Sequence, residues 1–172
     1  MTEALRRIAE FKMERVEHIL QPVYDKNSRV LILGSIPSPK SRENGFYYGH
    51  PQNRMWTVLS QVCGENKPET NEEKKAFLLR NNIAMWDVLA ECEIDGAKDS
   101  SIKKPVPNDI NMILRESKVK NIYTTGKIAW NLYEKLCYPA TGLHAYNLPS
   151  TSPANCAYSL ERLVKEYIKI LG

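Results

Sequence analysis

Short runs of apolar residues recur along the chain, and four of them are typical of strands in a buried parallel sheet. The clearest is Val30-Leu31-Ile32-Leu33, a continuous apolar run that ends at Gly34. Similar short segments occur at residues 83–86, 121–125 and 145–148. Strands of a parallel sheet are covered on both faces, so their sequences are apolar throughout instead of alternating. We therefore predict four strands at these positions.

Between these runs, apolar residues recur at the three- and four-residue spacing of amphipathic helices. The N-terminal segment is predicted to form one helix that is capped by Thr2 and broken at Pro22, with apolar positions at Leu5, Ile8, Ala9, Met13, Val16 and Leu20. Further helices are predicted after Asn53, over residues 71–80, after Pro107-Asn108-Asp109, after Gly126-Lys127 and over residues 160–171.

Strands that alternate with helices predict an α/β fold with three layers, αβα, around a four-stranded, mainly parallel central sheet. At 172 residues, and without an internal boundary, the chain is expected to form a single domain over residues 1–172. Ligands of such folds bind beyond the carboxyl ends of the strands. This rule directs attention to the segment that begins at Gly34, to Thr125-Gly126-Lys127 and to residues 148–155.

Composition narrows the class of protein only slightly. The apolar fraction of 42% and the charged fraction of 26% are those of an ordinary globular protein, and a net charge of +4 permits contact with a polyanion without showing it. Charges recur every few residues in the first 20, so we expect no signal peptide, no membrane contact and a location in the cytoplasm alongside the nucleoid.

Several common kinds of site are missing from the sequence. The segment Thr124-Thr125-Gly126-Lys127-Ile128 lacks the upstream glycine and the following Ser or Thr of a phosphate-binding loop. No GxGxxG or GxSxG motif occurs, and neither the three histidines nor the four cysteines have metal-ligand spacing. We therefore expect no bound metal and no cofactor.

Three motifs remain, and all of them follow predicted strands. Gly34-Ser35-Ile36-Pro37-Ser38 comes directly after the first strand, and Phe46-Tyr47-Tyr48-Gly49-His50-Pro51-Gln52-Asn53-Arg54-Met55-Trp56 follows in the same loop. Leu148-Pro149-Ser150-Thr151-Ser152-Pro153 begins at the last residue of the fourth strand. Together these motifs resemble those of the uracil-DNA glycosylase superfamily, and the resemblance covers most of residues 30–171.

The resemblance also has departures. Ile36 stands where the mismatch-specific branch carries Asn and the uracil-specific enzymes carry Asp, and Leu148 stands where the second motif opens with Asn or His. Both usual catalytic positions are therefore apolar. The sequence is most similar to the hypoxanthine-DNA glycosylase branch, which lacks the same groups and shares the Gly-His-Pro-x-Asn-Arg segment.

The resemblance implies a catalytic role for Asn53, which corresponds to the functional Asn of that segment. Its amide can hold water or a base edge but cannot act as a strong general base, and it is equally suited to capping the following helix. A flipped base is expected to stack on Tyr48, with Tyr47 as the second choice. Backbone N–H groups at Ser35 and Ile36, between Gly34 and Pro37, are expected to complete the base pocket.

DNA contacts are expected from the loop after the fourth strand and from two basic residues. The resemblance implies that the hydroxyls of Ser150, Thr151 and Ser152 contact phosphate and sugar near the lesion. Lys127 at a helix start and Arg54 beside Asn53 are further phosphate candidates, although a solvated lysine and an ion-paired arginine explain them as well. His50 is included in the base pocket, with a structural role preferred.

The resemblance thus implies a monofunctional DNA glycosylase that acts on DNA containing a deaminated base, with hypoxanthine preferred over uracil, and we expect it to act as a monomer. Two alternatives stay open. One is a mismatch-type uracil-DNA glycosylase, and the other is a catalytically silent protein that binds lesions or nucleic acid.

Overall fold

The computed structural model describes residues 2–172, and the side chains of all of these except residues 8–12. In chain order the elements are α1 (Glu3–Lys12), β1 (Met13–Glu17), β2 (Val30–Gly34), α2 (Pro39–Asn44), α3 (Met55–Cys63), α4 (Asn71–Arg80), β3 (Ile83–Asp87), β4 (Leu89–Asp95), β5 (Lys98–Pro107), α5 (Ile110–Glu116), β6 (Asn121–Thr125), α6 (Lys127–Leu136), α7 (Tyr138–Thr141), β7 (Ala145–Leu148) and α8 (Leu160–Tyr167), followed by a 3-10 turn (Ile168–Leu171).

The central sheet has four strands in the order β3-β2-β6-β7, and all of its pairings are parallel. Every residue of β2 and of β3 is buried, as expected of continuous apolar strands between two layers of helices. The four predicted strands and the α/β class with a four-stranded parallel sheet are therefore confirmed.

The strand order explains the layers. The connection from β2 to β3, which contains α3 and α4, and the connection from β3 to β6, which contains α5, run in opposite directions across the sheet. Since parallel crossovers are right-handed, these connections lie on opposite faces. Helix α8 packs on α3.

A second sheet, which the sequence pattern did not predict, has three antiparallel strands in the order β1-β4-β5. The prediction of one helix up to Leu20 is wrong for its second half, because α1 ends at Lys12 and β1 begins at Met13. In β1 only Val16 is buried, opposite Cys92 of β4. The side chains of Ile8 and Ala9 are not among those described, and Leu5 is exposed.

The hairpin of β4 and β5 is irregular. Between the pairs Glu93↔Lys103 and Asp95↔Lys98, two steps along β4 face five steps along β5. Extra residues in one strand form a bulge, which bends the strand and redirects its side chains. Asp99 lies in this bulge, next to the turn at Gly96.

None of the helices in the described part of the chain is long and apolar enough to cross a membrane.

Candidate functional site

Three strands of the parallel sheet end beside one another, and Gly34 at the end of β2 is the centre of this edge. A Cβ atom at Gly34 would lie 2.5 Å from Asp87 Oδ1 and 3.1 Å from the Tyr48 hydroxyl. Asp87 ends the neighbouring strand β3, and Thr125 ends β6 on the other side. Glycine is thus required here so that a carboxylate and a phenol can approach the backbone.

The structure separates the two adjacent tyrosines. Tyr48 has a φ of 53°, in the left-handed region, and its hydroxyl lies 3.2 Å from Thr125 Oγ1 at the strand end. Tyr47 has a buried ring, and its hydroxyl donates to the Gln21 carbonyl at 2.8 Å. Tyr48 therefore contacts the end of β6, while Tyr47 packs in the core, and a place for Tyr47 in the base pocket stays a prediction.

Burial raises the pKa of both phenols, and the charge of Asp87 raises them further. For Tyr48 the hydrogen bond with Thr125 opposes this shift without cancelling it. The Tyr48 hydroxyl consequently stays protonated at any working pH and can serve as a neutral hydrogen-bond donor.

Asp87 forms a buried pair with His18. His18 Nε2 lies 2.8 Å from Asp87 Oδ2, and the two side chains are 1% and 5% exposed. His18 comes directly after β1, so the position of the antiparallel sheet places its side chain at the carboxyl end of β3. His18 Nδ1 is buried without a hydrogen-bond partner among the described residues.

A second carboxylate reaches the loop after β2 from the hairpin bulge. The Ser35 hydroxyl donates to Asp99 Oδ2 at 2.6 Å. Burial raises the pKa of Asp99, the hydrogen bond from Ser35 lowers it, and the charge of Asp87 raises it again. Ser35, Ile36 and Pro37 are themselves buried, so this loop is a wall of the site.

Asn53 holds two elements together through one oxygen. Its Oδ1 accepts a hydrogen bond from the Met55 N–H at 2.9 Å, at the start of α3, and another from Thr151 Oγ1 at 2.8 Å. The Arg54 N–H donates to the Thr151 carbonyl at 3.1 Å. The side chain therefore accepts the N–H of the first residue of α3 and also holds the loop after β7, so that both predicted motifs meet here.

Arg54 strengthens the same junction. Its guanidinium donates to the carbonyls of Ser152 and Asn155, both at 3.1 Å, and to that of Tyr158. These contacts give Arg54 a structural role that explains its position, and its contact with a DNA phosphate stays a prediction.

The other predicted DNA-contact residues lie along the same loop. Thr151 is buried, while Ser150 and Ser152 are half-buried and accept hydrogen bonds from nearby N–H groups within the loop. Lys127 is exposed at the first residue of α6. His50 Nδ1 accepts from the Gln52 N–H at 3.1 Å, which is the structural role preferred for it.

Asp87, Asp99 and His18 were not predicted from the sequence. Asp87 follows the predicted strand at residues 83–86, so the strand-end rule applied to this strand as well would have found it. Asp99 and His18 have no comparable signal, because both depend on the antiparallel sheet. Among residues 2–172, no group of three or more His, Cys, Asp or Glu side chains is arranged to hold a metal ion.

Comparison with known proteins agrees with this geometry. Residues 21–172 match the uracil DNA glycosylase superfamily. A protein of Methanosarcina acetivorans named hypoxanthine DNA glycosylase is 37% identical over 143 residues, which are 81% of this chain and 89% of that protein. A protein of Methanosarcina barkeri with the same name is 37% identical over 93 residues, or 54% of this chain and 59% of that protein.

A solution NMR structure of a candidate uracil DNA glycosylase from Methanosarcina acetivorans has the same fold. It aligns with a TM-score of 0.78 and 31% sequence identity, covering 92% of this chain and 97% of the other. The superfamily match spans most of the sequence and includes the strand-end motifs. The chain belongs to the uracil DNA glycosylase superfamily.

Proposed function

We propose that this protein is a monofunctional DNA glycosylase that removes hypoxanthine from DNA by hydrolysing the bond between the base and its deoxyribose. The observation that carries the proposal is the similarity over most of the chain to a protein named hypoxanthine DNA glycosylase. The strand-end cluster of Tyr48, Asp87, Ser35 and Asp99 supplies a site of suitable chemistry. The proposal includes a single domain over residues 1–172 that acts as a monomer, without metal or cofactor.

The reaction sets three requirements. The base must leave the helical stack, because the duplex shields its glycosidic bond. The departing base must be stabilised as it takes up electrons, and a water molecule must reach the anomeric carbon. Tyr48 suits the first requirement, since stacking of a base on an aromatic ring contributes about 1–3 kcal/mol.

Asn53 is proposed to hold the base or the water through its amide nitrogen. Its Oδ1 already accepts hydrogen bonds from Met55 and Thr151, so the role left to the side chain is donation from Nδ2. A donor can stabilise a base oxygen or nitrogen that gains charge, but it cannot take the proton from water.

Contacts with the DNA backbone are proposed for the loop of Ser150, Thr151 and Ser152, for Lys127, and for Arg54 if its present contacts rearrange. Backbone N–H groups between Gly34 and Pro37 are proposed to meet a base carbonyl. Such backbone contacts would require no particular side chain at position 36, where this chain has Ile36.

Uracil is the second candidate substrate. It is favoured by the solved structure, which is described as a candidate uracil DNA glycosylase and shares the whole fold. Both bases present a carbonyl next to a ring N–H, so a site that holds one can admit the other within limits of size.

The test is base release from matched duplexes that contain one deoxyinosine or one deoxyuridine, followed by alkaline cleavage of the abasic product. Release of hypoxanthine supports the proposal, and release of uracil alone moves the protein to the uracil-specific alternative. If folded protein binds these duplexes and releases neither base, the proposed function is overturned in favour of a binding protein.

Asn53→Asp separates the two roles of Asn53, because it keeps the oxygen acceptor but loses the Nδ2 donor. We expect a fall in the release rate of at least about tenfold, corresponding to one hydrogen bond of about 1.4 kcal/mol. Gln52→Ala, at the exposed neighbouring position, is the control and should leave the rate unchanged. An unchanged rate in Asn53→Asp would reduce Asn53 to a helix cap.

A further inference from the structure

The proposed hydrolysis needs a group that accepts a proton from the attacking water, and Asn53 cannot supply it. Among the described residues, the carboxylates at the strand-end site are those of Asp87 and Asp99. They come from different sheets and have different partners, and these partners distinguish their roles.

Asp87 is buried at the end of β3. Its Oδ2 is paired with His18 Nε2 at 2.8 Å, and its Oδ1 would lie 2.5 Å from a Cβ atom at Gly34. The Asp87 side chain is 5% exposed, and Asn108 Nδ2 donates to the Asp87 backbone carbonyl at 2.9 Å. A buried carboxylate held in this way is suited to a structural role at the end of β3.

Asp99 is placed differently, because the bulge in β5 carries it out of the hairpin. Five steps of β5 face two steps of β4 at this point, and the side chain reaches the Ser35 hydroxyl at 2.6 Å. Each carboxylate makes one side-chain hydrogen bond among the described residues, in both cases at Oδ2, but Asp87 pairs with the His18 imidazole and Asp99 with the Ser35 hydroxyl. Bulges next to catalytic sites commonly redirect a side chain in this way.

We propose that Asp99 is the catalytic carboxylate that takes a proton from the water as it attacks the anomeric carbon, an inference that rests on the proposed function. In this step the water oxygen forms a bond with C1′ and one of its protons passes to Asp99. The bond from C1′ to the base nitrogen breaks, and its electron pair leaves with the base. The base then takes up a proton from solvent, and Asp99 returns its own to solvent.

The surroundings of Asp99 suit this role. The titratable groups that face it are Asp87 from β3, Tyr48 from the loop after β2 and Cys92 from β4. His18 is paired with Asp87. The charge of Arg42 lowers the pKa of the Cys92 thiol, and the charge of Glu93 raises it. Burial and the charge of Asp87 raise the pKa of Asp99, and a carboxylate with a raised pKa is the stronger proton acceptor once it is ionised.

Ser35 is the positioning residue for this carboxylate. Its hydroxyl fixes Oδ2 and lies in the wall formed by the loop after β2. Ser35→Ala therefore should lower the release rate less than loss of the carboxylate does. It should also move the pH at which the rate is half-maximal upward, because the hydrogen bond from Ser35 lowers the pKa of Asp99.

The experiment measures single-turnover release of hypoxanthine across pH by wild type, Asp99→Asn, Ser35→Ala and Asp95→Asn. Asp95 lies on the same hairpin and controls for the loss of one negative charge. We expect Asp99→Asn to lower the rate at least about 100-fold, the lower end of the usual contribution of a general base. Its affinity for a duplex with a tetrahydrofuran abasic-site analogue should change by less than about threefold, since the group acts in the transition state.

The pH profile gives the second readout. The wild-type rate should fall at acidic pH as Asp99 becomes protonated, and the remaining activity of Asp99→Asn should lack this limb. A rate of Asp99→Asn within about twofold of wild type, or the same acidic limb in both proteins, would overturn the inference and leave the proposed function intact. If the wild-type protein itself releases no base, the proposed function is overturned, and the inference about Asp99 is overturned with it. Circular dichroism of each variant ensures that a lost rate is not lost folding.

Discussion

Strands β2 and β3 of the parallel sheet and strand β5 of the antiparallel sheet differ in how far their side chains are exposed. Every residue of β2 and β3 is buried, whereas β5 is exposed or half-exposed along its whole length. A fully buried strand cannot carry ionisable side chains without large cost, so the parallel sheet offers the site only its strand ends. The antiparallel sheet is free to carry charge, and it brings His18 and Asp99 to those ends.

This difference explains how a site can be both rigid and charged. The parallel sheet fixes the backbone at Gly34, Asp87 and Thr125 within a close-packed core. The hairpin then adds a carboxylate whose pKa is raised by burial at the boundary between the sheets. Stability should therefore depend on the parallel sheet, and pH sensitivity on the hairpin.

The largest expected effect is on stability. Leu33→Ala in β2 removes a fully buried side chain and should lower the free energy of unfolding by about 2–5 kcal/mol. Val106→Ala in β5, where the side chain is 43% exposed, should change it by no more than about 0.5 kcal/mol. Urea denaturation measures both, and equal losses would contradict the contrast between the sheets.

The next effect concerns the strand end itself. Gly34→Ala would place a methyl group 2.5 Å from Asp87 Oδ1, and neither Asp87 nor Tyr48 can move without losing its partner, His18 or Thr125. Displacement of the site by about 1 Å should lower single-turnover base release about 100-fold.

Gly142→Ala is the control for this substitution. Gly142 has a φ of +68° and open space around its Cβ position, so alanine should cost about 1 kcal/mol of stability through backbone strain. Base release should not change. Wild-type activity in Gly34→Ala would show that the reaction takes place away from this strand end.

The two sheets also differ in what could be predicted from sequence. The strands of the parallel sheet are continuous apolar runs, and their positions and the fold class follow from that pattern. In β1 the run Met13-Glu14-Arg15-Val16-Glu17 continues the helical spacing of α1, so the pattern favours a helix. Pairing with β4 decides the matter, since Val16 becomes buried against Cys92 there.

The same division applies to the site, because the residues beside parallel strands could be predicted and those brought in by the antiparallel sheet could not. Tyr48, Asn53 and the loop of Ser150 to Ser152 stand in motifs next to predicted strands, and the structure brings them to one edge of the sheet. Asp99 is 64 residues from Ser35 along the chain, and a bulge with no clear sequence signature brings the two together. Contacts that depend on tertiary pairing of irregular strands have no local pattern.

The smallest expected effect tests the hairpin alone, through the pH dependence of stability. Because burial raises the pKa of Asp99 in the folded state, the folded protein binds this proton more tightly than the unfolded chain does. Protonated Asp99 therefore favours the folded state. This contribution to the free energy of unfolding is lost as the pH rises through the pKa that Asp99 has in the folded protein, and it returns as the pH falls. Asp99→Asn carries no such charge, so it should melt at a slightly higher temperature than wild type at pH 8.

This difference should shrink as the pH falls below the ordinary pKa of an aspartate, about 3.9, because wild-type Asp99 then becomes protonated in both states. Asp95→Asn, on the same hairpin, should follow the wild-type curve. The measurement is thermal unfolding of the three proteins at several pH values. A lower melting temperature for Asp99→Asn at pH 8 would mean that the hydrogen bond from Ser35 outweighs the cost of burial. The pKa of Asp99 in the folded protein would then lie below its ordinary value, and the raised pKa that favours Asp99 as the proton acceptor would be absent.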